Sequence, residues 1–374
     1  MSVNPVILVH GTQGSWLKDE YPVDYDNALL WTGILKRNFD TLHLHELDAT
    51  VDAQVKRWVM PHQAVPLIYA GIVDEIRDEM DEQPYAYVFT YDWRKDNRLA
   101  AQALSEFIDR VLRVAGVHEK IVGRSAPRQV VLLGHSMGGL VIKWCATQIV
   151  SARKIAKIIT IATPFRGSLK AVEALLPGAR NLFGFENKKS MRHAARTLPG
   201  VYQLLPTWDH AIVDSRSGQE LQPFNVSSWQ KNLVDNLSKR FSPHFLSDKL
   251  ADARAFTRVI NKPWPEQLVK KVYYAHGTGS DTWNQVAVDT RRGNFYLFKE
   301  ADSDKHGDGT VHSLSSAQPE ITGRKRVHLD KKHRFRDQLV GQHANMPNHS
   351  GLQDWILGVL RVNPYAEHSY ESPL

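Results

Sequence analysis

The feature that most constrains the fold is a short apolar run that breaks into a glycine–serine turn. Residues 130–133 are Val-Val-Leu-Leu, and Gly-His-Ser-Met-Gly follows at 134–138 before helix-forming residues. This order predicts a buried strand, a sharp turn with Ser136 at its tip, and a helix. Gly134 and Gly138 suit such a turn, because a Cβ would clash where the chain passes close to its neighbours. The pattern is typical of a nucleophile elbow, so we predict that Ser136 attacks a substrate.

Elsewhere, short apolar runs alternate with segments of helical periodicity. Apolar side chains at spacings of three and four predict an amphipathic helix over 96–114, and a second helix is expected over 137–150. Residues 283–300 predict a β-hairpin that turns at 291–294. The alternation indicates an α/β fold with a mainly parallel central sheet. The predicted core strands are 6–9, 85–91, 130–133, 155–161 and 272–276.

Two regions depart from this alternation. Residues 48–82 have a mixed helical pattern, and residues 169–265 form a long insertion rich in large apolar side chains. We expect the insertion to be a largely helical cap over the active site. The core would then comprise residues 1–168, with a cap-like excursion near 48–82, and residues 266–374.

The composition indicates a globular protein without a membrane span. Hydrophobic residues make up 42% of the 374 residues and charged residues 23%, as in globular domains. No stretch approaches the roughly 20 apolar residues that a spanning helix needs. The first residues include neither a basic segment nor a cleavage pattern, so we expect a cytoplasmic protein, with export by a leaderless route as the alternative. The single cysteine, Cys145, excludes an internal disulfide.

The charge balance is basic. The formal net charge is +7, and basic residues cluster at 324–326 and 331–336. These clusters fit either a solvated face or transient contact with an anionic membrane surface, at about 1 kcal/mol per basic residue. No segment resembles a nucleic-acid-binding module, so nucleic acid is not an expected partner.

A serine hydroxyl needs a base to take its proton and an acid to orient that base. In the α/β-hydrolase arrangement the acid follows the serine, and the histidine follows the acid. Asp281 comes soon after the 272–276 strand, whereas Asp308 lies in a Gly-Asp-Gly turn that could hold a carboxylate inward. The acid candidates are Asp281, Asp302, Asp304 and Asp308.

The base must come later still. His343 lies in a loop before an apolar helix, which is the expected place, and His349 is its rival six residues on. The candidates are His328, His333, His343, His349 and His368.

Backbone donors for the developing oxyanion are also needed, each typically worth a factor of about 10² to 10³ in rate. One is the N–H of Met137, directly after the nucleophile. The other is expected from the early His-Gly-Thr-Gln loop, where Thr12 is the first candidate and Gln13 the second.

Taken together, these segments resemble the lecithin:cholesterol acyltransferase-like branch of the α/β-hydrolase lipases. The resemblance covers most of the chain, and its most distinctive parts are the Tyr-Asp-Trp-Arg and Gly-Asp-Gly-Thr-Val segments. The matching segments, in the family's order, are residues 5–11, 91–94, 134–138, 162–168, 204–206, 307–311 and 343–346.

The resemblance implies an α/β-hydrolase fold in which Asp308 is the acid and His343 the base. It also puts Trp93 and Phe165 near the mouth of the active site as predicted substrate contacts, although both segments fit structural roles as well. No cofactor is expected. No compact ligand cluster is apparent, so no metal is predicted, although some bacterial lipases that the chain resembles carry a structural one.

The leading hypothesis is a serine lipase or esterase that cleaves acyl esters, phospholipids included, through an acyl-enzyme on Ser136. An acyltransferase would use the same residues with a cap that favours an acceptor alcohol over water. A leaderless phospholipase toxin aimed at another cell's membrane is a third hypothesis. The complete set of nucleophile, acid, base and oxyanion loop argues against a scaffold that only binds ligands.

Overall fold

The fold was analysed in a computed structural model of the 374-residue chain. The structure describes residues 4–20, 29–32, 39–45, 47–52, 57–79, 86–176, 188–288, 298–330 and 341–361.

A six-stranded sheet, parallel throughout, forms the centre of the described chain. Its inner strands are mainly apolar and buried along nearly their whole length, because helices cover both faces. The five predicted strands all belong to this sheet, and the predicted α/β architecture is confirmed. In spatial order the strands are β12 (Arg326–Asp330), β9 (Val272–Thr278), β7 (Ile155–Ile161), β6 (Val130–His135), β1 (Val6–Val9) and β5 (Ala86–Phe89).

Alternate side chains of each strand enter different cores, as the two-residue period of a strand requires. In β1, Ile7 and Val9 join a cluster with helices α2 (Asn97–Ile121) and α3 (Met137–Trp144). Val6 and Leu8 face the opposite way, toward α1 (Pro66–Glu79) and α11 (Ser350–Arg361).

Both predicted helices are present, with different ends. Helix α2 begins after Asp96, whose side chain accepts a 2.7 Å hydrogen bond from the N–H of Arg98, and runs to Ile121 rather than to residue 114. Helix α3 ends at Trp144, and the rest of its predicted length is a π turn, Cys145–Ile149.

The remaining described helices lie mainly in the long insertion and around the last strands. They are α4 (Leu169–Leu175), α5 (Lys188–Ala195), α6 (Pro199–Tyr202), α7 (Lys231–Arg240), α8 (Phe245–Ile260), α9 (Glu266–Val269) and α10 (Ser313–Ser316). None of the helices in the described ranges combines the length and the apolarity needed to cross a bilayer.

Two small sheets flank the centre. In the first, β8 (Ile212–Asp214) from the insertion pairs in parallel with β10 (Thr282–Val288), which pairs antiparallel with β11 (Phe298–Asp304). This is the predicted hairpin; its expected turn at 291–294 lies outside the described residues. In the second, β2 (Ser15–Asp19) lies between β3 (Leu29–Trp31) and β4 (Val59–Ala64).

Candidate active site

Ser136 occupies a tight turn between β6 and α3. Its backbone is in an unusual conformation, with φ 53° and ψ −129°, the kind of strain that a nucleophile elbow stores. The turn closes only because its neighbours lack side chains. A Cβ on Gly138 would collide with the carbonyl oxygen of Val9, and one on Gly134 would lie 2.9 Å from the backbone of Gly139.

The structure brings three of the predicted residues together by hydrogen bonds. Nδ1 of His343 lies 2.7 Å from Oδ2 of Asp308, and Nε2 of His343 lies 2.9 Å from Oγ of Ser136. All three residues are buried. Because a carboxylate only accepts, Nδ1–H of His343 donates to Asp308, which leaves the Nε2 lone pair of the neutral ring facing the serine hydroxyl.

The Asp308 carboxylate is held by its own loop. Its Oδ1 accepts the backbone N–H groups of Thr310 at 3.0 Å and Val311 at 2.8 Å, so Oδ2 remains for His343. Gly309, at φ +86°, allows the chain to turn between Asp308 and these two N–H groups. This arrangement fixes the direction in which the carboxylate points.

The rival acids lie elsewhere. Asp281 is exposed and lines the nearby cavity, without a hydrogen bond to His343. Asp302 accepts from Asn284, and Asp304 accepts from both Asn284 and His312.

The rival histidines also have other partners. His349 accepts the N–H of Leu352 at the start of α11, and His328 pairs with His276 at 2.7 Å. His333 and His368 lie outside the described residues.

The predicted oxyanion loop lies against the nucleophile. A Cβ on Gly11 would lie 2.7 Å from Cβ of Ser136, and the Thr12 hydroxyl contacts the sulfur of Met137 at 3.3 Å. The backbone N–H groups of Thr12 and Met137 have no acceptor within the described residues, so both can donate to a ligand. Gln13 lines the same cavity at φ 60°, and its carbonyl accepts the indole N–H of Trp31.

A cavity of about 580 Å³ opens beside Ser136, within the usual range for ligand sites. Much of its wall is apolar and comes from the insertion and the segment near residue 40: Phe39, Leu42, Met191, Ala194, Leu198 and Leu204. The lining also has a polar part, with Ser168, Lys170, Ser280, Asp281 and Gln342. One substrate could therefore contact apolar and polar surfaces together.

The two predicted substrate contacts occupy different places. Trp93 lines the cavity, and its indole N–H donates to the carbonyl of Ser15. Phe165 is not among the described residues of the cavity wall; its ring packs edge-on against Trp264, and Nζ of Lys143 lies 5.0 Å from its centroid. The structure places Phe165 in the core, because these partners surround its ring.

The Tyr-Asp-Trp-Arg segment is held by a buried ion-pair cluster. Arg94 has no exposed side-chain surface and pairs with Asp52 at 2.6 Å and Asp92 at 2.7 Å. Those two carboxylates offset the desolvation of the guanidinium, and they raise its pKa despite burial. The segment therefore has a structural role in addition to presenting Trp93.

Among the described residues, one group of side chains outside the Ser136 site has the composition of metal ligands. Single ligand atoms of Asp304, His306 and His312 lie within 4.8 Å of one another. Nδ1 of His312 accepts the N–H of Leu314, so its Nε2 carries the proton that it donates to Asp304 at 2.9 Å. Both ring nitrogens of His312 therefore have hydrogen-bond partners without a metal. Coordination of a metal through Nε2 would move the ring proton to Nδ1, which could then no longer accept the N–H of Leu314.

Two residues at the site were not predicted. His135 and Tyr69 lie beneath Ser136 and make hydrogen bonds to both flanking loops. No short-range signal could have identified Tyr69, because it comes from α1, and His135 occupies the position of the elbow motif that any residue can fill.

Residues 79–246 match the family profile described as lecithin:cholesterol acyltransferase. Lecithin-cholesterol acyltransferase-like 4 of Arabidopsis thaliana is 25% identical over 242 residues, covering 54% of this chain and 43% of that protein. Phospholipase A(1) LCAT3 of the same plant is 27% identical over 133 residues, covering 32% and 27%. The matched part thus spans less than half of either relative.

A solved structure is similar over nearly the whole chain. In the crystal structure of the Tle4–Tli4 complex, one chain superposes with a TM-score of 0.66 at 12% identity, covering 97% of this chain and 99% of that one. At this identity the likeness shows a shared fold. The resemblance predicted from the sequence is confirmed: residues 79–246 match the lecithin:cholesterol acyltransferase family, and the fold is that of the α/β-hydrolases.

Proposed function

We propose that this protein hydrolyses acyl esters of lipids through a covalent acyl-enzyme on Ser136. The observation that carries the proposal is the continuous hydrogen bonding from Ser136 through His343 to Asp308, at 2.9 and 2.7 Å. These groups line a cavity large enough for a lipid chain.

In the first half of the reaction, Oγ of Ser136 attacks the ester carbonyl carbon while Nε2 of His343 takes the hydroxyl proton. Asp308 keeps its bond to Nδ1–H and stabilises the imidazolium. The N–H groups of Thr12 and Met137 donate to the oxyanion of the tetrahedral intermediate. Collapse breaks the ester bond, and the alcohol leaves with the proton from His343.

In the second half, water attacks the acyl-enzyme carbonyl and gives its proton to the same Nε2. A second tetrahedral intermediate collapses, the bond to Ser136 breaks, and the serine regains its proton from His343. The products are a free carboxylic acid and an alcohol.

The preferred substrate in this proposal is a glycerophospholipid. The apolar wall, with Ala194 and Leu198, would take the acyl chain, and the polar part of the lining, with Lys170, would face the glycerol and headgroup. One relative is named a phospholipase A(1), which favours this class. We assign residues 169–265 as the cap, since three of its helices contribute to the apolar wall.

The test compares wild type with Ser136→Ala on p-nitrophenyl esters and on a panel of phospholipids and neutral glycerides. Ser247→Ala is the matched control, because that serine lies on α8, away from the cavity, and donates to the carbonyl of His244. We expect Ser136→Ala alone to abolish hydrolysis and fluorophosphonate labelling. Labelling that persists in Ser136→Ala would contradict the proposal.

Acyl transfer is the second candidate, favoured by the match to the acyltransferase family. It uses the same acyl-enzyme, with an alcohol in place of water in the second half. Measuring free acid against transferred acyl product, with a long-chain alcohol or sterol present, distinguishes the two.

We also propose transient contact with anionic membranes through the basic segments near residues 324–336. Within the described part, Nζ of Lys325 donates to the carbonyl of Lys270; residues 331–336 lie outside it. Sedimentation with phosphatidylserine vesicles should exceed that with phosphatidylcholine vesicles and fall with added salt. Equal binding to both vesicles would contradict the contact.

A further inference from the structure

Two buried polar side chains beneath Ser136 have no step in the proposed reaction. Tyr69 comes from α1, and His135 directly precedes the serine. The tyrosine hydroxyl lies 2.9 Å from Nδ1 of His135 and 2.9 Å from the backbone nitrogen of Gly11. Nε2 of His135 lies 3.0 Å from the carbonyl oxygen of His343. These contacts form one chain of three hydrogen bonds.

Each proton in this chain has a definite place. The carbonyl of His343 can only accept, so Nε2 of His135 carries the hydrogen. Burial lowers the pKa of His135 to about 3, so the ring is neutral and its Nδ1 accepts the O–H of Tyr69. The tyrosine oxygen is then free to accept the N–H of Gly11. Every donor has one acceptor, so the donors can only follow the order Gly11 N–H to Tyr69, Tyr69 O–H to His135, and His135 Nε2–H to the carbonyl of His343.

The two ends of this hydrogen-bond chain lie in the two loops on which the reaction depends. Gly11 precedes Thr12 and lies so close to the nucleophile that an added Cβ would be 2.7 Å from Cβ of Ser136. The carbonyl at the other end belongs to His343 itself. Tyr69 and His135 are almost fully buried, so water would not readily replace a bond that is lost.

We propose that Tyr69 and His135 are positioning residues that hold the oxyanion loop and the main chain of His343 in register with Ser136. This inference rests on the proposed function. Tyr69 sets where Gly11, and therefore the Thr12 N–H, lies relative to the serine. His135 sets where the main chain of His343 lies relative to Ser136. Neither side chain exchanges a proton with substrate.

The central variant is Tyr69→Phe, which removes one oxygen and leaves Gly11 N–H and Nδ1 of His135 without a partner. Its matched control is Tyr202→Phe, because the Tyr202 hydroxyl is equally buried and also bonds to backbone, the carbonyl of Arg196 at 2.9 Å. With a short soluble ester we expect Tyr69→Phe to lower kcat by up to about 10²-fold, the size of effect a small misplacement produces, with little change in KM. Tyr202→Phe should lower only Tm.

A second pair of variants keeps the inference testable if Tyr69→Phe folds poorly. In His135→Gln the side-chain amide can still donate to the His343 carbonyl, whereas His135→Leu removes both bonds. We expect His135→Gln to retain more kcat than His135→Leu. Tyr69→Phe should lower kcat further in the His135→Leu background, because it also removes the acceptor of the Gly11 N–H.

The outcomes separate the two proposals. If Ser136→Ala matches wild type in hydrolysis and labelling, the proposed function fails and the positioning roles fail with it. If wild type is active through Ser136 while Tyr69→Phe and Tyr202→Phe give the same kcat, the positioning roles alone are wrong. Equal kcat in His135→Gln and His135→Leu would also overturn them.

Discussion

Replacing Asp308 with asparagine is the most informative single perturbation of the site, because the surrounding loop dictates how the amide must sit. Oδ1 of Asp308 accepts two backbone N–H groups, from Thr310 and Val311. An amide NH₂ there would face two donors, so the asparagine must keep its oxygen in place. Its NH₂ is then directed at Nδ1 of His343, which must become an acceptor.

This forces the wrong tautomer of the base. With Nδ1 accepting, the proton of neutral His343 moves to Nε2, which faces Ser136 Oγ at 2.9 Å in the wild-type structure. Nε2 can then no longer accept the serine proton. A tautomer error of this kind lowers kcat by about 10⁴-fold, equivalent to about 5.4 kcal/mol of activation free energy.

The assay is kcat and kcat/KM for a soluble p-nitrophenyl ester, together with the rate of fluorophosphonate labelling and a thermal melt. Asp304→Asn is the control, because that residue ends β11 and its carboxylate bonds to His312 rather than to His343; it should leave kcat near wild type. A folded Asp308→Asn variant that keeps kcat within about tenfold, one decade in rate, would refute the assignment of Asp308 as the orienting acid.

Three further predictions test the surroundings. Gly11→Ala should lower kcat by about 10² to 10³-fold, the value of one oxyanion donor, because its Cβ would displace the loop from Ser136; kinetics on a variant with native far-UV circular dichroism checks this. Arg94→Ala should lower the free energy of unfolding by about 3–5 kcal/mol in urea titrations, because it leaves the buried carboxylate of Asp52 unpaired, and a change below about 1 kcal/mol, as for exposed pairs, would contradict it. Burial lowers the pKa of His10 to about 4 and that of His135 to about 3, so stability should be complete above pH about 6.5 and decline as the unfolded chain takes up protons, by about 2 kcal/mol per histidine between pH 6.5 and 5. Urea unfolding at pH 7 and pH 5 measures that decline, and an unchanged free energy would contradict it.

The parallel core was predictable because its inner strands are short, mainly apolar runs. Both faces of such strands are buried, so their sequence lacks polar alternation and stands out from the helices. Edge strand β12 was missed for the opposite reason: Arg-Val-His-Leu-Asp at 326–330 is polar and mostly exposed. Strand β8 is only three residues long, too short for a periodic signal.

The site residues also fall into those that a local pattern identifies and those that it does not. The elbow is a local pattern, so Ser136 and its glycines could be identified directly. Spacing alone left Asp281 beside Asp308 and His349 beside His343, because which carboxylate reaches which ring depends on loop hydrogen bonds between distant segments. The resemblance to a family, rather than any local rule, singled out the pair that the structure brings together.

The pairing of β8 with β10 has a consequence for how the chain is made. The insertion that contains β8 leaves the ribosome before the hairpin of β10 and β11, and β8 depends on that hairpin for its sheet partner. Until residue 304 has been synthesised, the nascent insertion presents an unsatisfied strand edge and the apolar surface that will later cover the cavity. Such edges are templates for aggregation. Expression yield should therefore depend on chaperone supply during synthesis, and fragments that stop before the hairpin should be recovered as aggregates.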